Sequence, residues 1–227
     1  GIDTIEGGAG NDSIIGGAGN DIIGDGAGND VVDGGAGNDA ITAAAGTDNF
    51  SGGDGNDSFA MGANWTGGTL TTDTISGGAG TDTLTVTNTA AVTAGTTTGV
   101  ETITATVDTG TDTLALAKVS GLTTLIASSG TNSSTLNVTG LNSGATVKLN
   151  DADVDTATID TVASASLTID NQIALAGSTT IDDAVTVTVQ NTGSADGDLT
   201  ALVLDPVETT TPVSYNHLTL PITPYMS

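Results

Sequence analysis

The sequence predicts an all-β fold in which short strands stack into a solenoid, and three observations support it. A nine-residue phrase, Gly-Gly-Ala-Gly-Asn-Asp followed by a short apolar stretch, recurs along the first third of the chain. A fixed period this short is typical of a solenoid in which each copy forms one rung. Beyond residue 86, short β-prone runs rich in Thr, Val and Leu follow at close intervals. No aromatic residue lies between Thr66 and Ser214, which disfavours the aromatic-rich core of a sandwich.

Each copy of the repeat begins with turn-forming residues and ends with a predicted strand. The glycines permit positive φ, and Asn-Asp suits a tight turn. The eighth residue is apolar in every copy and is predicted to point inward. Two copies then make one coil of 18 residues, with odd copies stacked on one side and even copies on the other. The copies lie at 7–15, 16–24, 25–33, 34–42, 43–51, 52–60, 68–76 and 77–85, after a partial copy at 1–6.

Three segments are predicted along the chain: a repeat domain over 1–85, a Thr/Ala/Gly-rich solenoid over 86–205, and a tail over 206–227. Residues 61–67 are an insertion in the repeat domain, and its Trp65 is predicted to cover the stacked apolar side chains where the insertion interrupts the coil. The tail holds all four prolines and the only histidine, so we expect it to be disordered or a sequencing artefact. Because Gly1 falls in mid-repeat, we expect the chain to be a fragment of a longer protein.

Predicted strands in the second segment are bounded by Gly, Asn, Ser or Asp. A parallel solenoid is favoured there over a sandwich, although strands at this spacing occur in both. The acidic pair Asp182-Asp183 is predicted to form a turn. The strands are predicted at 100–106, 122–127, 135–138, 145–149, 166–169, 184–189 and 199–204.

The charge balance indicates what this chain binds. It has 27 acidic residues and two basic ones, Lys118 and Lys148, for a formal net charge of −25. Nucleic acid and anionic membranes are therefore poor partners, and a cation is the expected one. The chain has no cysteine, no nucleotide-binding glycine pattern and no histidine outside the tail. A catalytic centre built on histidine or a thiol is thus not expected, and we predict that the chain is not an enzyme.

An aspartate recurs at the sixth position of every copy, which predicts a column of carboxylates along each side of the coil. Calcium takes six to eight oxygen ligands, and glycine-rich turns leave backbone carbonyls accessible to it. Aspartates from copies n and n+2 are predicted to approach the same ion. Magnesium prefers a tighter octahedron, and zinc lacks its usual His and Cys ligands. The column comprises Asp3, Asp12, Asp21, Asp30, Asp39, Asp48, Asp57, Asp73 and Asp82.

The pattern Gly-Gly-x-Gly-x-Asp-x-apolar-x resembles the repeats-in-toxin (RTX) family, closely over 1–60 and loosely over 68–85. The resemblance implies a parallel β-roll, calcium in the turns and type I secretion. Ala43-Ala44-Ala45 before Asp48 departs from the pattern and is expected to weaken that site, as is the Thr-rich stretch before Asp73. The implied calcium ligands are Asp3, Asp12, Asp21, Asp30, Asp39, Asp48, Asp57, Asp82 and the carbonyls of Gly8, Gly10, Gly17, Gly19, Gly26, Gly28, Gly35 and Gly37.

The sequence is compatible with two functions. Residues 86–205 resemble bacterial surface-layer and adhesin proteins in composition. This favours an extracellular, calcium-binding structural or adhesive module at the bacterial surface. Self-assembly or binding of a cell-surface polysaccharide is the expected partnership. The alternative is the calcium-binding accessory region of a secreted RTX enzyme or toxin whose catalytic domain is missing.

Overall fold

The computed structural model describes residues 1–61, 73–88, 92–107, 110–129, 134–142, 144–149, 154–171, 175–190, 199–205 and 213–216. Within these ranges the regular elements are all strands, and no helix there is long and apolar enough to cross a membrane. The chain divides into two compact units. The first comprises Gly1–Asn88, Val92–Thr104 and Lys118–Leu122; the second comprises Thr89–Ala91, Ala105–Ala117 and Thr123–Ser227.

The first unit is a coil whose strands form two parallel sheets. Thr4 pairs with Ile22 and Ser13 with Val31, so successive coils are 18 residues apart and alternate copies fall on different sheets, as predicted. One sheet contains β1 (Thr4–Glu6), β3 (Ile22–Gly24), β5 (Ala40–Ala43), β7 (Ser58–Met61) and β9 (Thr83–Asn88). The other contains β2 (Ser13–Ala18), β4 (Val31–Ala36), β6 (Asn49–Asp54), β8 (Thr74–Ala79), β11 (Thr96–Thr98) and β14 (Val119–Ser120). Strands β10 (Val92–Thr93) and β12 (Thr102–Val107) complete the described elements up to residue 107.

The eighth residue of each copy forms the core of this coil, which confirms the predicted apolar ladder. In the complete copies, Phe50 and Ile23 are fully buried and the others are at most 7 % exposed. Ile5 of the partial copy is only partly buried. Their strands pair in register, so each apolar side chain stacks on the equivalent one in the next coil. The buried members are Ile14, Ile23, Val32, Ile41, Phe50, Phe59, Ile75 and Leu84.

Close stacking explains why the turns require glycine. Gly35 and Gly37 have φ of 105° and 133°, in the left-handed region that favours glycine. A Cβ built on Gly35 would lie 2.0 Å from the carbonyl oxygen of Gly17 in the preceding coil. A side chain at this position would therefore push the two coils apart.

The second unit is also built from parallel strands, which confirms the predicted solenoid rather than a sandwich. Thr124 pairs with Thr146 and Gly110 with Ser134, so its coils are longer than the 18-residue coils of the repeats. The strands are β13 (Gly110–Ala115), β15 (Thr124–Ser129), β16 (Ser134–Leu141), β17 (Thr146–Leu149), β18 (Val154–Asn171), β19 (Leu175–Gln190), β20 (Leu199–Asp205) and β21 (Val213–Asn216).

Two of these strands are longer than the sequence predicts. The predicted runs 166–169 and 184–189 are the ends of β18 and β19, which have 18 and 16 residues. The turn predicted at Asp182-Asp183 is wrong, because both residues lie within β19 and Asp182 pairs with Asp160 of β18 and Asp205 of β20. Polar residues were interpreted as turns there, whereas parallel backbone pairing accepts them in a strand.

Two sequence predictions fall largely outside the described residues. Trp65 and the insertion beyond Met61 lie in the undescribed range 62–72. Of the predicted tail, the structure describes β21 alone, and it pairs in parallel with β19 from Val187 to Gln190.

Candidate metal centre

The turn aspartates form two ladders, one at each edge of the first unit. The first ladder comprises Asp3, Asp21, Asp39, Asp57 and Asp82, and the second comprises Asp12, Asp30, Asp48 and Asp73. In each, the Oδ1 atom of one aspartate accepts the backbone N–H of the equivalent aspartate in the preceding coil. The distances range from 2.7 Å, for Asp21 N to Asp39 Oδ1, to 2.9 Å, for Asp48 N to Asp73 Oδ1. The aspartates of copies n and n+2 therefore follow one another in a column, as the sequence predicted.

The preceding asparagine forms a second ladder that runs in the opposite direction. Asn20 Oδ1 accepts the N–H of Asn38 at 2.9 Å, and Asn38 Oδ1 accepts that of Asn56 at 2.9 Å. Asparagine therefore reaches toward the following coil and aspartate toward the preceding one. Together they satisfy backbone N–H groups in a turn that has no complete strand ladder.

The second oxygen of most ladder aspartates is buried and has no hydrogen-bond partner. Burying a carboxylate oxygen without a partner is costly, and the chain has no Lys or Arg before Lys118. A hard cation with oxygen ligands is the counterion that such atoms fit. The unpartnered ladder oxygens are Oδ2 of Asp12, Asp21, Asp30, Asp39, Asp57 and Asp82, and Oδ2 of Asp25, outside the ladders, is a seventh.

The pKa values of several carboxyls reflect this burial. Burial raises the pKa of Asp48 to about 6; the hydrogen bond from Asp30 N–H opposes the shift, and the charge of Asp25 adds to it. Burial also raises the pKa of Asp57 and Asp82, again against the hydrogen bond that each Oδ1 accepts. The metal-free charged state is therefore disfavoured in both ladders.

The structure places the predicted glycine ligands at the same turns. All eight have φ between 93° and 145°, and in each copy they precede the ladder asparagine and aspartate. Gly8 O already accepts the N–H of Ala27 at 2.7 Å, which leaves this carbonyl one further lone pair. The eight are Gly8, Gly10, Gly17, Gly19, Gly26, Gly28, Gly35 and Gly37.

Sequence reasoning missed two acidic residues beside the ladder aspartates. Glu101 ends the first ladder, because its Oε2 accepts the N–H of Asp82 at 2.8 Å. It stands outside the nonapeptide, and only its position after the turn glycine Gly99 hinted at this role. Asp25 is fully buried and lies with Asp30 and Asp48 in a group whose carboxylate oxygens are within 4.8 Å of one another. Its signal was an aspartate at the first position of a copy, where glycine is usual.

Comparison with family models supports what this geometry indicates. Residues 1–24, 25–59 and 68–86 match the model of the RTX calcium-binding nonapeptide repeat, in four copies. Over these residues the chain carries repeats that match the RTX nonapeptide, and their strands form a parallel β-roll. Comparison with curated proteins gives no match, and comparison with solved structures gives none either.

Proposed function

We propose that the first unit is unfolded without calcium and that it folds outside the cell when calcium binds. The observation that carries the proposal is the set of buried, unpartnered Oδ2 atoms along both ladders. The ladder aspartates and the turn carbonyls would hold the calcium ions. Bound calcium supplies the positive charge that the repeats themselves lack.

Without metal, two costs oppose folding of this unit. Ordering many glycines consumes more backbone entropy than ordering other residues. Stacking the ladders also brings uncompensated carboxylates together in a desolvated place. Extracellular calcium modules bind with Kd of about 10⁻⁴–10⁻³ M, which suits a chain that stays unfolded in a low-calcium cytosol and folds after export.

We propose further that the chain is a non-catalytic part of a surface-layer or adhesin-type protein, exported by type I secretion. Support comes from the second unit, where parallel Thr- and Val-rich strands continue without the calcium repeat. We propose that this unit contacts another copy or a surface polysaccharide. An accessory region of an RTX enzyme would also contain repeats like the first unit. The preference for a surface-layer or adhesin-type protein therefore rests on the second unit.

Circular dichroism in excess chelator, followed by calcium addition, tests the switch. We expect a β signal in chelator that comes from the second unit alone and rises as calcium folds the first unit, with magnesium at equal concentration much less effective. A control chain with Asp33→Asn should behave like the parent, because Asp33 is an exposed residue of β4 outside both ladders. A β spectrum that is the same with and without chelator would contradict the proposal.

A further inference from the structure

Asp25 occupies a place where the rest of the coil has no charge. The first position of the other well-formed copies is glycine, as in Gly16 and Gly34. In the same stack as Asp25, the next two coils place Ala43 and Met61 there; these two pair in register, and both are buried. Gly24 of β3 pairs with Thr42 of β5, so the next residue, Asp25, lies in register with Ala43. An aspartate therefore stands at a core-facing position.

The contacts of Asp25 satisfy only half of its carboxylate. Its Oδ1 accepts N–H groups from Gly26 at 2.6 Å and Ala44 at 2.8 Å. Its Oδ2 has no partner, although the residue is 0 % exposed. Asp30 is 1 % exposed, and its Oδ2 is also unpartnered. Two buried oxygens thus lack partners within one group of three carboxylates.

The spacing of the group suits a single calcium ion. Carboxylate oxygens of Asp25, Asp30 and Asp48 lie within 4.8 Å of one another. Opposite ligands of one calcium ion are separated by about 4.6–5.2 Å, since each calcium–oxygen distance is about 2.3–2.6 Å. One ion at the centre can therefore contact all three.

We propose that Asp25, Asp30 and Asp48 form a calcium site distinct from the other turn sites of this chain and tighter than they are. The inference rests on the proposed calcium function of the ladders. At the other sites, two ladder aspartates from successive coils would supply the carboxylates, whereas here Asp25 adds a third. Calcium sites tighten as the number of charged ligands rises. This site is the first to fill and holds the third and fifth copies together.

The proposal also accounts for the alanines that precede Asp48. Ala43-Ala44-Ala45 replaces the glycines of that turn, so the sequence alone predicts a weakened site there. The carboxylate of Asp25 reaches this turn, as its hydrogen bond from Ala44 N–H shows. The extra charge in one copy compensates for the altered turn two copies later.

Equilibrium dialysis with radioactive calcium, at free concentrations set by chelator buffers, tests this site in the full chain. We expect one ion per parent chain to bind at roughly tenfold lower free calcium than the rest, because of the added charge. Asp25→Asn removes the charge at constant size and should abolish this first step while the later ions still bind. Asp25→Gly restores the usual residue and should do the same. Asp33→Asn is the matched control and should keep the first step.

The outcomes separate this inference from the function on which it rests. If Asp25→Asn and Asp25→Gly bind the first ion as the parent does, the distinct site is refuted while the calcium function stands. A parent chain that binds no calcium refutes both. Should Asp25→Asn fail to reach the parent's circular dichroism spectrum in saturating calcium, Asp25→Gly alone decides. If Asp25→Asn binds calcium as the parent does and is only more stable in chelator, the charge of Asp25 merely destabilises the metal-free coil, and the proposal is overturned.

Discussion

Two glycines at the same repeat position allow the effect of coil stacking to be measured by itself. Gly17 and Gly35 both occupy the second position and have φ of 103° and 105°. A Cβ on Gly17 has nothing within 4 Å, whereas a Cβ on Gly35 lies 2.0 Å from Gly17 O. Gly17→Ala and Gly35→Ala therefore share the backbone strain and differ in the contact with a neighbouring coil. We expect Gly35→Ala to be much the more destabilising.

The magnitude follows from the displacement that the new methyl group requires. The left-handed conformation costs a non-glycine residue about 1–2 kcal/mol, which applies to both variants. Because real Cβ contacts essentially never fall below 3.0 Å, Gly35→Ala must open the stack locally by about one ångström. That movement breaks or stretches the bond from Gly19 N to Ala36 O, at 2.7 Å, and its neighbours in the β2–β4 pairing. At about 0.5–1.5 kcal/mol for each of two or three hydrogen bonds, the additional loss is about 1–4.5 kcal/mol.

Urea unfolding at a fixed saturating calcium concentration, followed by circular dichroism, measures this difference. With a mid-range m-value of about 2 kcal/mol per molar urea, the midpoint of Gly35→Ala should lie roughly 0.5–2 M below that of Gly17→Ala. Fixed calcium matters, because bound ligand adds to the apparent stability. Equal midpoints for the two variants would show that coil contact does not determine where glycine is needed.

Three further predictions concern the ladders. Asp39→Asn should raise the calcium concentration needed for half-folding several-fold in a circular dichroism titration. The same variant should have a larger folded fraction in chelator, because it removes a buried, uncompensated charge. The control Asp33→Asn should change neither result. In chelator, the β signal should be greater at pH 5 than at pH 7. Burial raises the pKa of Asp48 to about 6 in the folded chain. The protonated carboxyl therefore contributes stability that is complete below the pKa of the unfolded chain and is lost as pH rises through the pKa of the folded chain. A signal that grows with pH would contradict this assignment. Asn38→Ala should cost about 1 kcal/mol in urea unfolding with calcium present, since the N–H of Asn56 loses its acceptor; no loss would mean that water replaces the amide.

The repeat made much of the first unit predictable. A period of nine with one apolar residue per copy predicts the 18-residue coil and the buried ladder of Phe50, Ile23 and their equivalents. The glycines predict left-handed turns, which the φ values confirm. These features depend on local conformation and on the same contact repeated from coil to coil, so the order of residues is enough to determine them.

What the sequence alone did not determine depends on contacts between residues far apart in the chain. Register decides that Oδ1 of most ladder aspartates accepts a backbone N–H 18 residues earlier, or 25 across the insertion, and that several Oδ2 atoms are left without a partner. Register also brings Asp25 against Asp48 and makes Glu101 the end of a ladder. The second unit shows the same limit, since its strands pair without a strict repeat and Asp182 lies in a strand. Local propensity therefore set the turns and the core of each copy, while stacking of the coils decided which carboxylates share a site.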